Sequence, residues 1–162
     1  MPSLTILKPG LLCSIQDGGR KGLAYYAIPP AGVMDHNAAK IALLLLNKNE
    51  DHPLIECTAL APHIRFNGPC QIAISGADFG WTLNNRPIAL NSAINVQAND
   101  ILRGKMATSG LRGYIAIQGT LKIDKVYNSS ATYVNAGMGG YKGRLLQKSD
   151  ILEWEASPLM VK

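Results

Sequence analysis

Apolar and polar residues alternate with period two along most of this chain, in short runs separated by turn residues. His63-Ile64-Arg65-Phe66, Gln71-Ile72-Ala73-Ile74-Ser75, Ala93-Ile94-Asn95-Val96-Gln97 and Tyr114-Ile115-Ala116-Ile117-Gln118 all show it. Period two is the mark of a strand with one face in a core and the other in water. Asn67-Gly68-Pro69, Asn84-Asn85 and Asn99-Asp100 fall between the runs, and these residue types favour turns. With 16 glycines and 9 prolines among 162 residues, the chain turns often. Many short strands with close turns predict a mainly β fold, a barrel or a sandwich, rather than a parallel sheet with crossover helices. Asp100-Ile101-Leu102 and Asp150-Ile151-Leu152 echo one another, each following a polar turn and opening a strand.

One segment breaks the pattern. Asp35 is a suitable N-cap, and His36 to Asn47 reads as about three turns of helix. Ala38, Ala39, Ile41, Ala42 and Leu43 to Leu46 wrap nearly round it, which predicts burial on both sides. Asn47-Lys48-Asn49 and Pro53 end it.

Charge and cysteine content narrow the function classes. The net charge is +5 with a pI near 9.2, spread along the chain without a basic run. That balance suits acidic partners and argues against nucleic acid. Cys13, Cys57 and Cys70 form no C-x-x-C pair and lie in apolar stretches, so they read as small buried hydrophobes in a reducing compartment. The start shows no export signal, and the longest apolar run, Ile41 to Leu46, is far below the roughly 20 residues that span a bilayer. A cytoplasmic protein without membrane contact is expected.

Polar clusters carry the candidate chemistry. Gln16-Asp17-Gly18-Gly19-Arg20-Lys21-Gly22 follows a strand-like run, and Arg20 could offer a planar fork to an anion or pair with Asp17 inside the turn. The rigid Ile28-Pro29-Pro30-Ala31-Gly32-Val33-Met34 stretch delivers Asp35 to the helix start, where capping is the favoured role. Gly137-Met138-Gly139-Gly140-Tyr141-Lys142 fails the G-x-G-x-x-G test at Lys142, leaving a glycine-rich loop that presents Lys142 and Arg144. Ser129 and Ser130 offer hydroxyls, and His36, His52 and His63 are available as bases, but no G-x-S-x-G elbow exists, so a hydrolytic triad is not expected. His36, His52 and His63 form no H-x-x-x-H pair, so no metal is expected. His63 reads as lying on the polar face of its strand. In Leu54-Ile55-Glu56-Cys57-Thr58, alternation turns Ile55 and Cys57 inward and Glu56 to the wet side. The alternative is a buried Glu56 paired with Arg20, Arg112 or Arg144.

Taken in order, the clusters resemble a known family. Gln16, Asp17, Gly19, Arg20 and Gly22 match Q-D-x-G-R-x-G, and Pro29, Gly32 and Asp35 match P-x-x-G-x-x-D. An apolar helix ending in Asn47 follows, then Leu54, Glu56 and Thr58 for L-x-E-x-T, and Ser75-Gly76-Ala77. Gly110, Arg112, Tyr114 and Ala116 fit G-x-R-x-Y-x-A; Gly139, Gly140, Gly143, Arg144 and Leu145 fit G-G-x-x-G-R-x-L; Asp150 closes the series. The series resembles the A/B-type carboxyltransferase-domain proteins. That family includes the second subunit of bacterial allophanate hydrolase, one of the subunits of bacterial 5-oxoprolinase and the corresponding domain of urea carboxylase. The chain departs from the pattern at Thr120, Asn128 and Ser149, where the family has glycine, and at Ala131, where it has arginine.

The resemblance covers nearly the whole chain and about the first half of the family's usual domain pair. It implies a cyclophilin-like β-barrel over residues 1–155 with one short buried helix, then a tail over 156–162. It also implies a component, inactive alone, of an ATP-dependent hydrolase complex of the 5-oxoprolinase type acting on a cyclic or linear amide. The alternatives are a biotin-dependent carboxyltransferase component and a binding module that regulates a histidine kinase. Partners would be a C/D-type carboxyltransferase polypeptide and further subunits, with self-association where apolar surface stays uncovered. ATP or biotin would be handled by the complex, with no cofactor or metal on this chain. Gln16, Asp17, Arg20, Asp35, Arg112, Tyr114 and Arg144 are the candidates for binding substrate or an anion, and no catalytic residue is assigned.

Overall fold

The structure is a computed structural model and describes residues 1–157. The predicted tail therefore lies largely outside the described residues. Strands β1 (Ser3–Lys8), β4 (His63–Phe66), β6 (Thr82–Leu83), β7 (Arg86–Pro87), β9 (Ile101–Arg103), β11 (Thr120–Leu121) and β12 (Ile151–Glu155) form one sheet in the order β11-β12-β1-β4-β9-β6-β7. Strands β2 (Leu12–Gln16), β3 (Leu54–Thr58), β5 (Cys70–Asp78), β8 (Ser92–Val96) and β10 (Ser109–Ile117) form the second, in the order β2-β3-β10-β5-β8. Every strand pair is antiparallel. The mainly β reading holds, but no strand pairing among the described residues closes the sheets into the expected barrel.

The main core draws alternate residues from both sheets. Leu4, Ile6, Ile64, Phe66, Leu102, Leu152 and Trp154 of the larger sheet join Cys13, Ile15, Ile55, Cys57, Ile72, Ile74, Ile115 and Ile117 of the smaller. The smaller sheet is covered on its other face as well. Helix α1 (His36–Leu45) packs Ala38, Ala39, Ala42 and Leu43 against Leu54, Ala73, Tyr114 and Ala116. Small residues on both sides allow that close approach, and the Ser75 hydroxyl donates to the Ala38 carbonyl. Hence the "wet" face expected for these strands is dry: Ala73, Ser75 and Glu56 are all buried.

Asp35 caps α1 as predicted, accepting the Ala38 amide at 3.0 Å. Burial on both sides does not hold, since Ile41 and Leu44 are exposed. The helix lies on the sheet as a single outer layer, so its far side meets solvent. All three cysteines are free and buried. The two Asp-Ile-Leu echoes share one device: Asp100 accepts the Gln97 amide and Asp150 the Gln147 amide, and Leu102 and Leu152 then enter the core. No described helix is long and apolar enough to cross a membrane.

Candidate functional site

Strand β2 leads into the first polar network. Gln16 accepts the Gly32 amide and donates to the Ser14 hydroxyl and the Thr132 carbonyl. Asp17, 3% exposed, accepts the Gly19 amide at 2.8 Å, the Ser129 hydroxyl at 2.7 Å and the Ser130 amide at 2.6 Å. Arg20 is equally buried; Nε donates to the Val126 carbonyl and Nη2 to the Ala131 carbonyl, while Nη1 has no partner among the described residues. Burial pulls the Arg20 guanidinium below its ordinary pKa, and the Asp17 charge opposes that. The Asp17 charge acts on Arg20 within the turn, one of the two expected roles, without a hydrogen bond between them. The Arg20 hydrogen bonds go to the carbonyls of the 126–131 loop, which Asp17 holds from the other side. Ser129 donates its proton to a carboxylate, an arrangement that ties it into the fold.

The second network lies on the helix side of the smaller sheet. Strands β3 and β10 pair with Tyr114 opposite Glu56 and Arg112 opposite Thr58, so these side chains share one face. Glu56 Oε2 accepts the Tyr114 hydroxyl and the Met34 amide, each at 2.8 Å, and Oε1 accepts Arg112 Nη1 at 3.0 Å. The Tyr114 oxygen accepts the Asp35 amide at 2.7 Å, and Arg112 Nη1 also reaches the Thr58 hydroxyl. Burial pushes the Tyr114 phenol well up, with Glu56 adding to the rise, so it stays a neutral donor. Glu56 is thus buried and paired, not on a wet face, because α1 and the segment before it cover this side.

Next to that network opens a cleft of about 570 Å³, lined by Asp35, Gly76, Asp78, Ser109, Gly110 and Arg112 among others. The Arg112 side chain is 27% exposed, and among the described residues Nε and Nη2 have no protein partner. Asp35 uses Oδ1 on the helix cap, and Asp78 uses Oδ1 on the Gly80 amide. Each carboxylate therefore keeps its second oxygen. Gly76, at φ +86°, sits where a Cβ would lie 2.5 Å from the Arg112 carbonyl, so only glycine permits this bulged stretch of β5 and β10.

Arg144 belongs to a third network. It grips Asp150 through two parallel bonds of 2.7 and 2.8 Å. Burial works to raise the Asp150 pKa, but the Arg144 and Gln147 hydrogen bonds outweigh it and hold the carboxyl below 3.8. The seven candidates therefore do not form one pocket. Asp35, Arg112 and Tyr114 come together, Gln16, Asp17 and Arg20 form a separate corner, and Arg144 stands apart. The sequence did not point to Asp78 and Ser109 as cleft residues. For Glu56 the alternative reading holds, buried and paired with Arg112. A signal existed: Glu56, Ser75 and Tyr114 fall at alternate positions of neighbouring strands, too polar a face to rest bare beside an apolar helix without partners.

Comparison with known proteins bears on the family and the fold. Residues 26–161 match the family model described as carboxyltransferase domain, subdomain A and B. The urea amidolyase of Lachancea kluyveri is 34% identical over 148 residues, which are 91% of this chain and 8% of that protein. A 5-oxoprolinase subunit of Escherichia coli is 30% identical over 149 residues, 92% of this chain and 48% of that polypeptide. The crystal structure of the Kluyveromyces lactis urea carboxylase superposes with a TM-score of 0.91 at 35% identity, covering 98% of this chain and 14% of the other. The chain thus spans about half of the 5-oxoprolinase polypeptide and a small part of the multidomain enzymes. On the family match and the shared fold together, this chain belongs to the carboxyltransferase domain family, subdomains A and B.

Proposed function

We propose that this chain supplies the amide-recognising cleft of a multi-polypeptide, ATP-dependent assembly of the 5-oxoprolinase type. The observation that carries the reading is the charge arrangement of the cleft: one guanidinium with free donors, Arg112, beside the carboxylates Asp35 and Asp78. An amide carbonyl is a hydrogen-bond acceptor and its N–H groups are donors, so this combination matches an amide better than a bare carboxylate. Arg112 is held in place by Glu56 and Thr58, which makes it a preorganised donor for charge that builds on a carbonyl oxygen. Residues 1–155 act as one unit in this reading, and a C/D-type partner completes the site. ATP is handled elsewhere in the assembly.

The relatives support a second reading, carboxyl transfer to urea, through the 34–35% identity shared with urea amidolyase and urea carboxylase. Urea is itself an amide, so the same cleft serves both. The test combines this chain with the polypeptides encoded beside it and measures glutamate release from 5-oxoproline with ATP. In parallel, transfer to urea is measured with a carboxylated biotin carrier. Glutamate release that falls about tenfold or more in Arg112→Ala supports the proposal, since one charged hydrogen bond contributes about 1.5–3 kcal/mol. Activity on urea alone moves the assignment to the second reading. Inactivity on both, with every partner present, overturns the proposed cleft function.

A further inference from the structure

Cys13 and Cys57 face each other directly across β2 and β3. The backbone shows which type of antiparallel pair they form. The Cys13 carbonyl accepts the Leu146 amide and the Ile15 carbonyl accepts the Thr132 amide, so these odd positions of β2 point their polar groups away from β3. On the other strand, the Ala59 amide donates to Leu111, so the odd positions 57 and 59 point toward β10, again away from β2. Cys13 and Cys57 are therefore a non-hydrogen-bonded pair, for which opposed Cα atoms stand about 4.5 Å apart. That separation lies within the range that a disulfide spans. Both side chains point into the same core, at 1% and 0% exposure. Burial, followed by the Cys13 thiol, pushes the Cys57 thiol well up. Gly10 leaves room for them: a Cβ there would sit 3.0 Å from the Cys13 sulfur. Cys70 lies at the start of β5, opposite Val96 and away from the pair.

We propose that Cys13 and Cys57 form a cross-strand dithiol site that a small-molecule disulfide converts to an intramolecular disulfide, with Cys70 left as a thiol. The Cys13 sulfur, on the edge strand β2, loses its proton and attacks one sulfur of glutathione disulfide. That S–S bond breaks, and the first glutathione leaves as thiolate. The Cys57 sulfur, deprotonated in turn, attacks the Cys13 side of the mixed disulfide and expels the second glutathione. Two protein thiols are oxidised, one disulfide is reduced to two thiols, and two electrons pass between them. Because the thiols are buried, exchange needs β2 to open or the chain to be refolding.

The whole chain is unfolded, reduced and refolded in a glutathione redox buffer, then trapped with an alkylating agent. The expected product is a monomer that has lost two of its three free thiols, with a single linked peptide pair holding Cys13 and Cys57. Its thermal midpoint lies several degrees above that of the reduced form, because a cross-link restricts the unfolded chain. Cys70→Ser gives the same product; Cys13→Ala and Cys57→Ala give none. A folded protein that keeps all three thiols in oxidising buffer overturns the proposal. So does a linkage through Cys70 or between chains, and so does a disulfide that lowers the midpoint.

Discussion

The corner at Gln16–Arg20 and the cleft at Asp35–Arg112 have the same ingredients: an aspartate, an arginine and glycines held at positive φ. They differ in where the polar groups end. At the corner, Asp17 and Arg20 are each 3% exposed and direct their hydrogen bonds into the 126–132 loop. At the cleft, Arg112 keeps two nitrogens and Asp35 one oxygen facing no protein partner among the described residues. The corner is sealed from water, although Arg20 Nη1 has no partner among the described residues; a network closed off in this way fixes a shape, whereas one that opens to solvent with free donors can take a ligand. A polar cluster becomes structure or site according to what packs against it.

The sharpest way to break this comparison is Asp17→Ala. It removes the acceptor for Gly19, Ser129 and Ser130 and leaves the Arg20 charge buried beside carbonyls alone. Loss of one partner from a buried charged network costs about 3–5 kcal/mol, a large share of a domain's stability. Urea unfolding is expected to show a collapse of the midpoint or an unfolded protein. A loss below about 1 kcal/mol would mean that the corner is dispensable and the contrast with the cleft is wrong.

Much of this was legible in the chain, and what was not has a physical reason. Period two located the strands, since side-chain alternation follows from the pleat whatever the sheet packs against. It could not say how many faces are covered. Ala73 and Ser75 read as a wet edge, yet their small size is what lets α1 lie on them. The same ambiguity misplaced Glu56, whose position on the strand was right but whose surroundings came from a distant helix. Asp35 was legible as a cap because capping is local. The corner was legible as a cluster only, because its partners, Ser129 to Ala131, stand more than a hundred residues later. Sheet closure is likewise a long-range property: the strand pattern left a barrel and a sandwich both open, and the resemblance chose the barrel.

At the cleft, the corresponding break is milder. Arg112→Ala frees Glu56 Oε1, but Oε2 keeps its bonds from Tyr114 and Met34. With the guanidinium partly in water, a loss of about 1–2 kcal/mol is expected in urea unfolding, beside the larger loss of activity argued above. Asp35→Ala removes the α1 cap and costs about 1 kcal/mol. The comparison predicts that stability and activity separate here but fall together at Asp17. An Arg112→Ala protein as unstable as Asp17→Ala would erase the distinction.

Acid pH provides a test outside both regions. Burial lowers the His52 pKa from 6.5, with the Ile117 carbonyl opposing and the Lys48 and Lys125 charges adding to the fall. A base whose folded pKa is depressed binds its proton more readily when unfolded. Its stabilising contribution is therefore complete above pH 6.5 and declines as pH falls from there toward the folded value. His63, also lowered mainly by burial, acts in the same direction. Below pH 3.8, Asp150 adds a second decline as its depressed carboxyl takes up a proton. Unfolding midpoints measured from about pH 7 to about pH 3 are expected to fall in these two windows. His52→Gln is expected to flatten the first and leave the second, and an unchanged first window would show that His52 is not its source.

The smallest effect tests how firmly the Arg144–Asp150 network dictates its backbone. Ser149 stands at φ +72° in the turn that delivers Asp150 to Arg144. The left-handed conformation costs a residue with a Cβ about 1–2 kcal/mol, and glycine escapes that cost. Glycine in turn gives up about 0.5–1 kcal/mol through the greater freedom of its unfolded chain. The Ser149 amide bond to the Ile6 carbonyl survives the change, because it belongs to the main chain. Ser149→Gly is therefore expected to raise stability by about 0.5 kcal/mol, a small positive shift of the urea midpoint at unchanged slope. Ser149→Ala, which keeps the strain, is expected to give no gain. If Ser149→Gly instead destabilises the protein, the turn is held by the serine side chain rather than by the Asp150–Arg144 grip and the strand pairing behind it.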